Sequence, residues 1–159
     1  MHAETWRTSY RGLVPDALLD GLSDDRWEEG WRRGFESMDP TRVVHVAETG
    51  GRIVGFAGGG RARPGAPPGF VGEVYAIYVH PDRQGQGIGR ALLKAAAEGL
   101  VERGLAPIVI WTLFDNPRSR GFYEARGGTV IGEKRELFDG YELREVAYGW
   151  RDPAPLLEA

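Results

Sequence analysis

Hydrophobic positions change their period several times along this chain, and each change marks an element. From Asp24 to Met38 the residues Trp27, Trp31, Phe35 and Met38 recur at intervals of four, four and three, so they form one apolar stripe on a helix with charges opposite. Such a stripe packs on a core or flanks a substrate cleft. Upstream, Met1 to Arg11 carries Trp6 and Tyr10 four apart and predicts a helix closed by Gly12. The period then shortens to two: Arg42 to Glu48 alternates, Gly50-Gly51 supplies a hairpin turn, and Arg52 to Gly58 returns as a second strand. Gly59 to Gly69, with three prolines, predicts a loop that enters a strand beginning near Gly72. The β-branched and aromatic run Val74 to Val79 reads as buried strand, and His80-Pro81-Asp82 stops it. A helix begins by composition at Arg90, runs to about Arg103 and is ended by Gly104; Pro107 to Leu113 is a further buried strand. Asn116 to Arg126 is a short helix, and Thr129 to Leu137 and Tyr141 to Trp150 flank the hairpin dipeptide Asp139-Gly140. Pro153 and Pro155 are expected to end the ordered chain. With no repeat or linker, the series predicts a single α/β domain over residues 1–159.

Bulk properties narrow the function classes. At 159 residues the chain can bury a real core. A net charge of -3 without a basic cluster argues against a nucleic-acid surface, which needs phosphate-neutralising side chains. The absence of cysteine removes disulfides, thiolate metal sites and a cysteine nucleophile together. His2, His45 and His80 show no metal-ligand spacing, so no metal site is expected. No apolar run reaches membrane-spanning length and the N-terminus lacks signal-peptide regions, so a cytoplasmic location is expected.

Between the buried strand and its helix lies the segment Gln84-Gly85-Gln86-Gly87-Ile88-Gly89-Arg90. Its alternating glycines let the backbone curl with N–H groups inward, and the helix that follows adds unpaired N–H groups and the positive end of its dipole. The segment is suited to a pyrophosphate. It is not a Walker loop, which would end Gly-Lys-Ser/Thr where this one ends Gly89-Arg90-Ala91. Nor is it a dinucleotide fingerprint, since the sixth position is Arg90 counted from Gly85 and Leu92 counted from Gly87.

The pattern Gln/Arg-x-x-Gly-x-Gly/Ala, met by Gln84, Gly87 and Gly89, resembles the acyl-CoA loop of the GNAT superfamily of N-acetyltransferases. A second segment agrees. GNAT proteins commonly place an asparagine beyond the strand after the CoA helix, then a short helix ending Phe-Tyr, then a glycine; Asn116, Phe122-Tyr123 and Gly127 match in order and spacing. The resemblance extends from about residue 42 to 150. It implies the GNAT fold: a mixed, mostly antiparallel central sheet with splayed central strands, flanked by helices, in an acyltransferase that uses acetyl-CoA as co-substrate. The implied acceptor is a primary amine of a small molecule or peptide, attacking directly in a ternary complex.

The chemistry of acetyl transfer distributes roles over these residues. An alkylamine with a pKa near 10 must lose a proton before it attacks, so a carboxylate or water relay is needed. Glu73, at the entry of the strand leading to the loop, is the expected base by resemblance; a solvated strand-entry glutamate is the alternative. Tyr75 and Tyr78 are expected water or substrate contacts. Backbone around Ile77, Tyr78 and Val79 is the implied cofactor-binding strand, with an N–H near Val79 facing the developing oxyanion. The leaving thiolate needs a proton, and the Tyr123 phenol is matched to it in basicity; Tyr123 as a core residue beside Phe122 is the other reading. The backbone of Gln84 to Arg90 is expected on the phosphates. Asn116 either bonds the pantetheine amides or caps the helix it opens, and Ser119 either touches the cofactor or lies on the surface.

Four departures and biases qualify the match. Relatives that acetylate protein N-termini often carry a glutamate where this chain has Trp111, and the usual Gly-Phe after the Phe-Tyr helix is Gly127-Gly128 here. Family members usually have a strand before a Trp-Arg-x-x-Tyr segment such as Trp6 to Tyr10. Without that strand, the edge of Arg42 to Glu48 is open to pairing and a homodimer is expected. Finally, Asp16, Asp20, Asp24, Asp25, Glu28 and Glu29 cluster near the first helices, either drawing a cationic amine or forming a solvated helix face. Two rival classes stay open: a non-catalytic acyl-CoA-binding regulatory module, disfavoured by Tyr123 and Asn116, and a nucleotide-binding domain, disfavoured by the Gln84 pattern.

Overall fold

A computed structural model describes residues 7, 10–22, 24–37 and 39–158. Among the described residues, helices α1 (Asp16–Asp20) and α2 (Asp24–Glu36) precede a hairpin of β1 (Val43–Thr49) and β2 (Arg52–Arg61). Then come β3 (Gly72–Val79), a 3₁₀ turn (Pro81–Arg83), α3 (Ile88–Glu102), β4 (Ile108–Leu113), α4 (Pro117–Glu124), the hairpin β5 (Thr129–Phe138) and β6 (Tyr141–Trp150), and α5 (Ala154–Leu157). The strands form one six-stranded sheet in the order β1-β2-β3-β4-β6-β5. β3 and β4 pair in parallel and every other neighbour is antiparallel.

The sheet separates two packed faces. On one, Leu92, Leu93, Ala96, Ala97 and Leu100 of α3 pack on Val74, Ile108, Ile110, Val146 and Tyr148. On the other, Leu18, Leu19 and Leu22 around α1 pack on Leu113 and Leu143, while Phe70 from the 62–71 loop covers Val109 and Ala147. Trp31 of α2 meets Phe56 edge to face at 4.9 Å and stacks on Phe35 at 5.9 Å. The stripe therefore ends on core at Trp31, but Phe35 is 63% exposed; Met38 and the Trp27 side chain lie outside the described residues.

Three expectations need correction. The strand expected to stop at Gly58 continues to Arg61, because Gly58-Gly59-Gly60 cross β3 closely: a Cβ on Gly59 would stand 2.5 Å from the Glu73 carbonyl oxygen. Pro153 and Pro155 do not end the order; they open the turn of α5, whose Leu156 is buried in the core under α3. The helix expected over Met1 to Arg11 falls mainly outside the described residues, and its end is an isolated bridge from Arg11 to Val14 around Gly12. Both hairpin turns have positive φ at their two central residues, Gly50-Gly51 and Asp139-Gly140, which suits the right-handed twist of the flanking strands.

Candidate active site

The sheet opens at its centre. β3 and β4 pair only at Gly72↔Ile108, Glu73↔Val109 and Val74↔Ile110, yet β3 runs on to Val79 and β4 to Leu113. Beyond Val74 the two strands do not pair with each other among the described residues, which leaves a cleft between them. A bulge helps to aim it. Val74 pairs with Gly59 and Ala76 with Gly58, so Tyr75 is an extra residue, and the side chains change face beyond it. Val74 thus joins the α3 core and so do Ile77 and Val79, while Tyr78 turns to the opposite face against Phe56 at 5.4 Å. The Tyr75 hydroxyl donates to the Arg61 carbonyl.

The loop that follows β3 is held by its own side chains. His80 caps the 3₁₀ turn, its Nδ1 accepting from the Asp82 N–H at 3.2 Å, and Gln84 Nε2 donates to the Val79 carbonyl at 3.0 Å. Gln86 Nε2 reaches the Asp82 carbonyl at 3.5 Å. Gly85 and Gly87 adopt φ of 75° and 83°, a region that costs side-chained residues strain, and a Cβ on either would meet nothing within 4 Å. The concave side of the loop is open. Gly87 is the N-cap of α3 without a side-chain cap, so the first N–H groups of α3 face that space. From there a groove of about 430 Å³ runs along α3, lined by Gly87, Arg90, Ala91 and Lys94. Ile88 is half-buried on the core, and Gly89 lies where a Cβ would touch Phe122 and Val79 at 3.7 Å.

Tyr123 lies on the α3 side, 5% exposed, among Phe122, Tyr148 and Trp150 with ring centroids at 5.4, 5.8 and 6.3 Å. Its hydroxyl makes no hydrogen bond among the described residues. Burial, with a smaller push from Tyr10, raises the phenol well above its ordinary value and keeps it protonated. Tyr10 comes from the opposite face, where it packs near Leu113 and Leu143, and its hydroxyl bonds Tyr78. Tyr10 and Tyr123 sense one another because the opened strands leave no sheet between them.

Other expected residues are differently employed. Glu73, expected beside the cleft as a base, is only 1% exposed and lies in the paired part of β3. Its Oε2 accepts from the Arg63 N–H at 2.9 Å and Nε at 3.3 Å, and its Oε1 from Nη2 at 2.8 Å. Arg63 also lies 4.8 Å over the Tyr75 ring. This carboxylate fastens the 62–71 loop to the sheet. Asn116 and Ser119, expected either on the pantetheine or as a helix cap and a surface serine, bond one another: Asn116 Oδ1 caps the Ser119 N–H at 3.2 Å and Nδ2 donates to Ser119 Oγ at 2.9 Å. Four of the clustered acids are ion-paired, Asp16 and Asp20 with Arg11, Glu28 with Arg32 and Glu29 with Arg33.

Two groups escaped the sequence reading. Arg63 is one cation in a proline-rich loop and carries no signal. The trio Lys134, Glu136 and Glu145 was within reach, because the Asp139-Gly140 turn fixes the β5–β6 register that sets Lys134 opposite Glu145. Among the described residues no acidic or histidine cluster suited to a metal is present, and no helix is long and apolar enough to cross a membrane.

Comparison with known proteins gives this geometry a family. The model of the acetyltransferase (GNAT) family matches residues 4–128. An uncharacterized N-acetyltransferase, YuaI, of Bacillus subtilis (strain 168) is 35% identical over 98% of this chain and 87% of its own length. A mycothiol acetyltransferase of Frankia alni is 33% identical over 90% of this chain, which spans only 47% of that relative. Among solved structures, the ribosomal-protein-alanine N-acetyltransferase of Brucella melitensis superposes with a TM-score of 0.67 at 23% identity, over 92% of this chain and 94% of that one. The PaiA N-acetyltransferase of Thermoplasma acidophilum, solved with coenzyme A, gives 0.65 at 18% identity over 93% and 87%. The opened central strands and glycine loop are thus those of a GNAT fold, and the chain belongs to the GNAT family of acetyltransferases.

Proposed function

We propose that the chain transfers the acetyl group of acetyl-CoA to a primary amine of a small molecule or peptide, by direct attack in a ternary complex. The observation that carries this reading is the Tyr123 hydroxyl, buried and without a hydrogen bond among the described residues, in a sheet whose β3 and β4 part beyond Val74. The backbone N–H groups from Gly85 to Arg90 and the start of α3 hold the pyrophosphate. The backbone of Ile77 to Val79, on the side of β3 from which β4 has parted, receives the thioester, and an N–H there stabilises the oxyanion. A neutral amine forms the C–N bond as the C–S bond breaks. The thiolate takes the Tyr123 proton, and the phenolate recovers one from the new amide nitrogen. The burial that holds the phenol protonated also disfavours a free thiolate beside it, so the transfer stays matched.

The test is thiol release from acetyl-CoA across a panel of primary amines. The wild type is expected to turn over at least one, and Tyr123→Phe to lower kcat by about 10² to 10⁴ with acetyl-CoA affinity nearly intact. Full turnover by the variant would return Tyr123 to packing alone. A wild type that binds acetyl-CoA but releases no thiol with any amine would favour the non-catalytic acyl-CoA-binding module. We also propose a homodimer formed through the free edge of β1.

A further inference from the structure

We propose that Glu145 is the base that takes the proton from the acceptor's ammonium group, in a slot on the face of the sheet opposite α3. This rests on the acetyltransferase reading above and adds to it a residue outside both cofactor segments.

Strand alternation fixes which way Glu145 points. On β6, Val146, Tyr148 and Trp150 enter the core under α3, whereas Leu143 and Ala147 pack on the other face; Glu145 stands between these two. On β4, likewise, Ile108 and Ile110 go toward α3 and Val109, Trp111 and Leu113 away from it. Glu145 pairs with Leu113, beyond the point where β3 and β4 part. It therefore lies on the acceptor's side of the opening, while Tyr123 lies on the side of α3. A nucleophile approaching from one side of a thioester with the proton donor for sulfur on the other is the arrangement acyl transfer needs.

The neighbours of Glu145 tune it for proton transfer. Lys134, opposite on β5, puts Nζ 2.9 Å from Glu136 Oε2 and 3.6 Å from Glu145 Oε2, and rests 4.3 Å over the Trp111 ring. One ammonium thus faces two neighbouring carboxylates. Burial and Glu136 push Glu145 up against the pull of Lys134, while Lys134 holds the more exposed Glu136 down. Tyr10 also faces the pair, its hydroxyl sensing the Glu145 charge and bonding Tyr78, and Arg63 faces Glu136. Leu18, Leu19 and Leu22, packed around Leu113 and Leu143, add no charge.

Tyr10 links this slot to the reacting centre. It interacts with Glu145 on one side and, through the gap between the strands, with Tyr123 on the other. Tyr123 is itself only 5% exposed, and its hydroxyl makes no hydrogen bond among the described residues. Glu73 is excluded by contrast, since both its oxygens are taken by Arg63. The proton balance closes: ammonium gives one proton to ionised Glu145, through Tyr10 or a water, and Glu145 releases it to solvent past Glu136. The second proton leaves the nitrogen as the amide forms and returns to Tyr123, whose own has gone to sulfur.

The experiment uses an amine that the wild type acetylates and records kcat/KM against pH for wild type, Glu145→Gln and Glu136→Gln. A base must be ionised to act, so wild-type activity should rise with pH through the raised Glu145 transition. Glu145→Gln should lose about 10²-fold or more at neutral pH, lack that limb, and recover as pH rises and the amine becomes neutral by itself, while calorimetry shows acetyl-CoA affinity unchanged. Glu136→Gln should move the limb to lower pH, because the neighbour that raises Glu145 is gone. A Glu145→Gln profile parallel to the wild type would overturn the proposal and leave the acetyltransferase reading standing. A wild type without thiol release from any amine would overturn both. If Glu145→Gln loses acetyl-CoA affinity, Glu136→Gln decides, and an unmoved limb overturns the assignment.

Discussion

Glu73 and Tyr123 are both shut away from solvent, but one has every oxygen paired and the other has a hydroxyl with no hydrogen bond among the described residues, and this difference separates their roles. A buried carboxylate with three donors is a fastening; taking a proton would cost it those bonds. Arg63, whose side chain is 57% exposed, supplies all three. Replacing it by Met would leave an ion at 1% exposure with only the backbone donor. Breaking such pairs typically costs 3–5 kcal/mol, and the exposure of Arg63 brings our expectation down to about 2 kcal/mol. Urea unfolding of Arg63→Met checks this; an unchanged midpoint would mean that water replaces the guanidinium without loss. Asn116 teaches the same lesson, since its amide is spent on Ser119 and its place in the motif is explained by a helix start.

At the scale of elements, the strand, glycine loop and helix from Gly72 to Glu102 form the unit that organises the site. Gly87 is its hinge: φ is 83°, and a Cβ there meets no protein atom within 4 Å. Gly87→Val should therefore fold with modest strain, about 1–2 kcal/mol for a side chain in the left-handed region, yet fill the space a phosphate needs. Acetyl-CoA affinity is expected to fall at least tenfold by calorimetry; unchanged affinity would show that the phosphates lie elsewhere. This unit was legible in the sequence because its signals are local: a β-branched and aromatic run, a stop at His80-Pro81-Asp82, alternating glycines, then a helical composition. The β5–β6 hairpin was legible for the same reason, through Asp139-Gly140. Where the deciding contact spans distant segments, the sequence was silent. Gly59 and Gly60 read as loop because nothing local reveals that β3 runs close beside them, and Glu73 read as a base because its partner sits ten residues away in a featureless loop. The splay itself was expected only from the family resemblance, and α1 was missed because its five residues are too few for a periodic signal.

For the whole molecule, the sheet order leaves two edges, and they differ in character. β5 at one edge carries Glu133, Lys134, Arg135 and Glu136, all engaged in ion pairs, a charged rim of the kind that discourages further pairing. β1 at the other edge pairs only with β2 among the described residues. Its Val46 is 55% exposed, as is Ile53 on β2, so a free ladder edge and apolar surface coincide. A groove of about 520 Å³, lined by Phe35, Arg42, Val44 and Glu102 among others, runs beside this edge. The bulge between Ala47 and Glu48 limits regular pairing to the first part of the strand, Val43 to Ala47. Antiparallel pairing of this segment with its copy is self-complementary and closes after two chains, the arrangement a two-fold dimer requires. Light scattering is therefore expected to give twice the 17.5 kDa chain mass, and Val46→Lys, a charge on the exposed face of the edge, to give the monomer. A wild type that stays at the single-chain mass at high concentration would refute pairing through β1, and the exposed residues there would then be no more than ordinary surface.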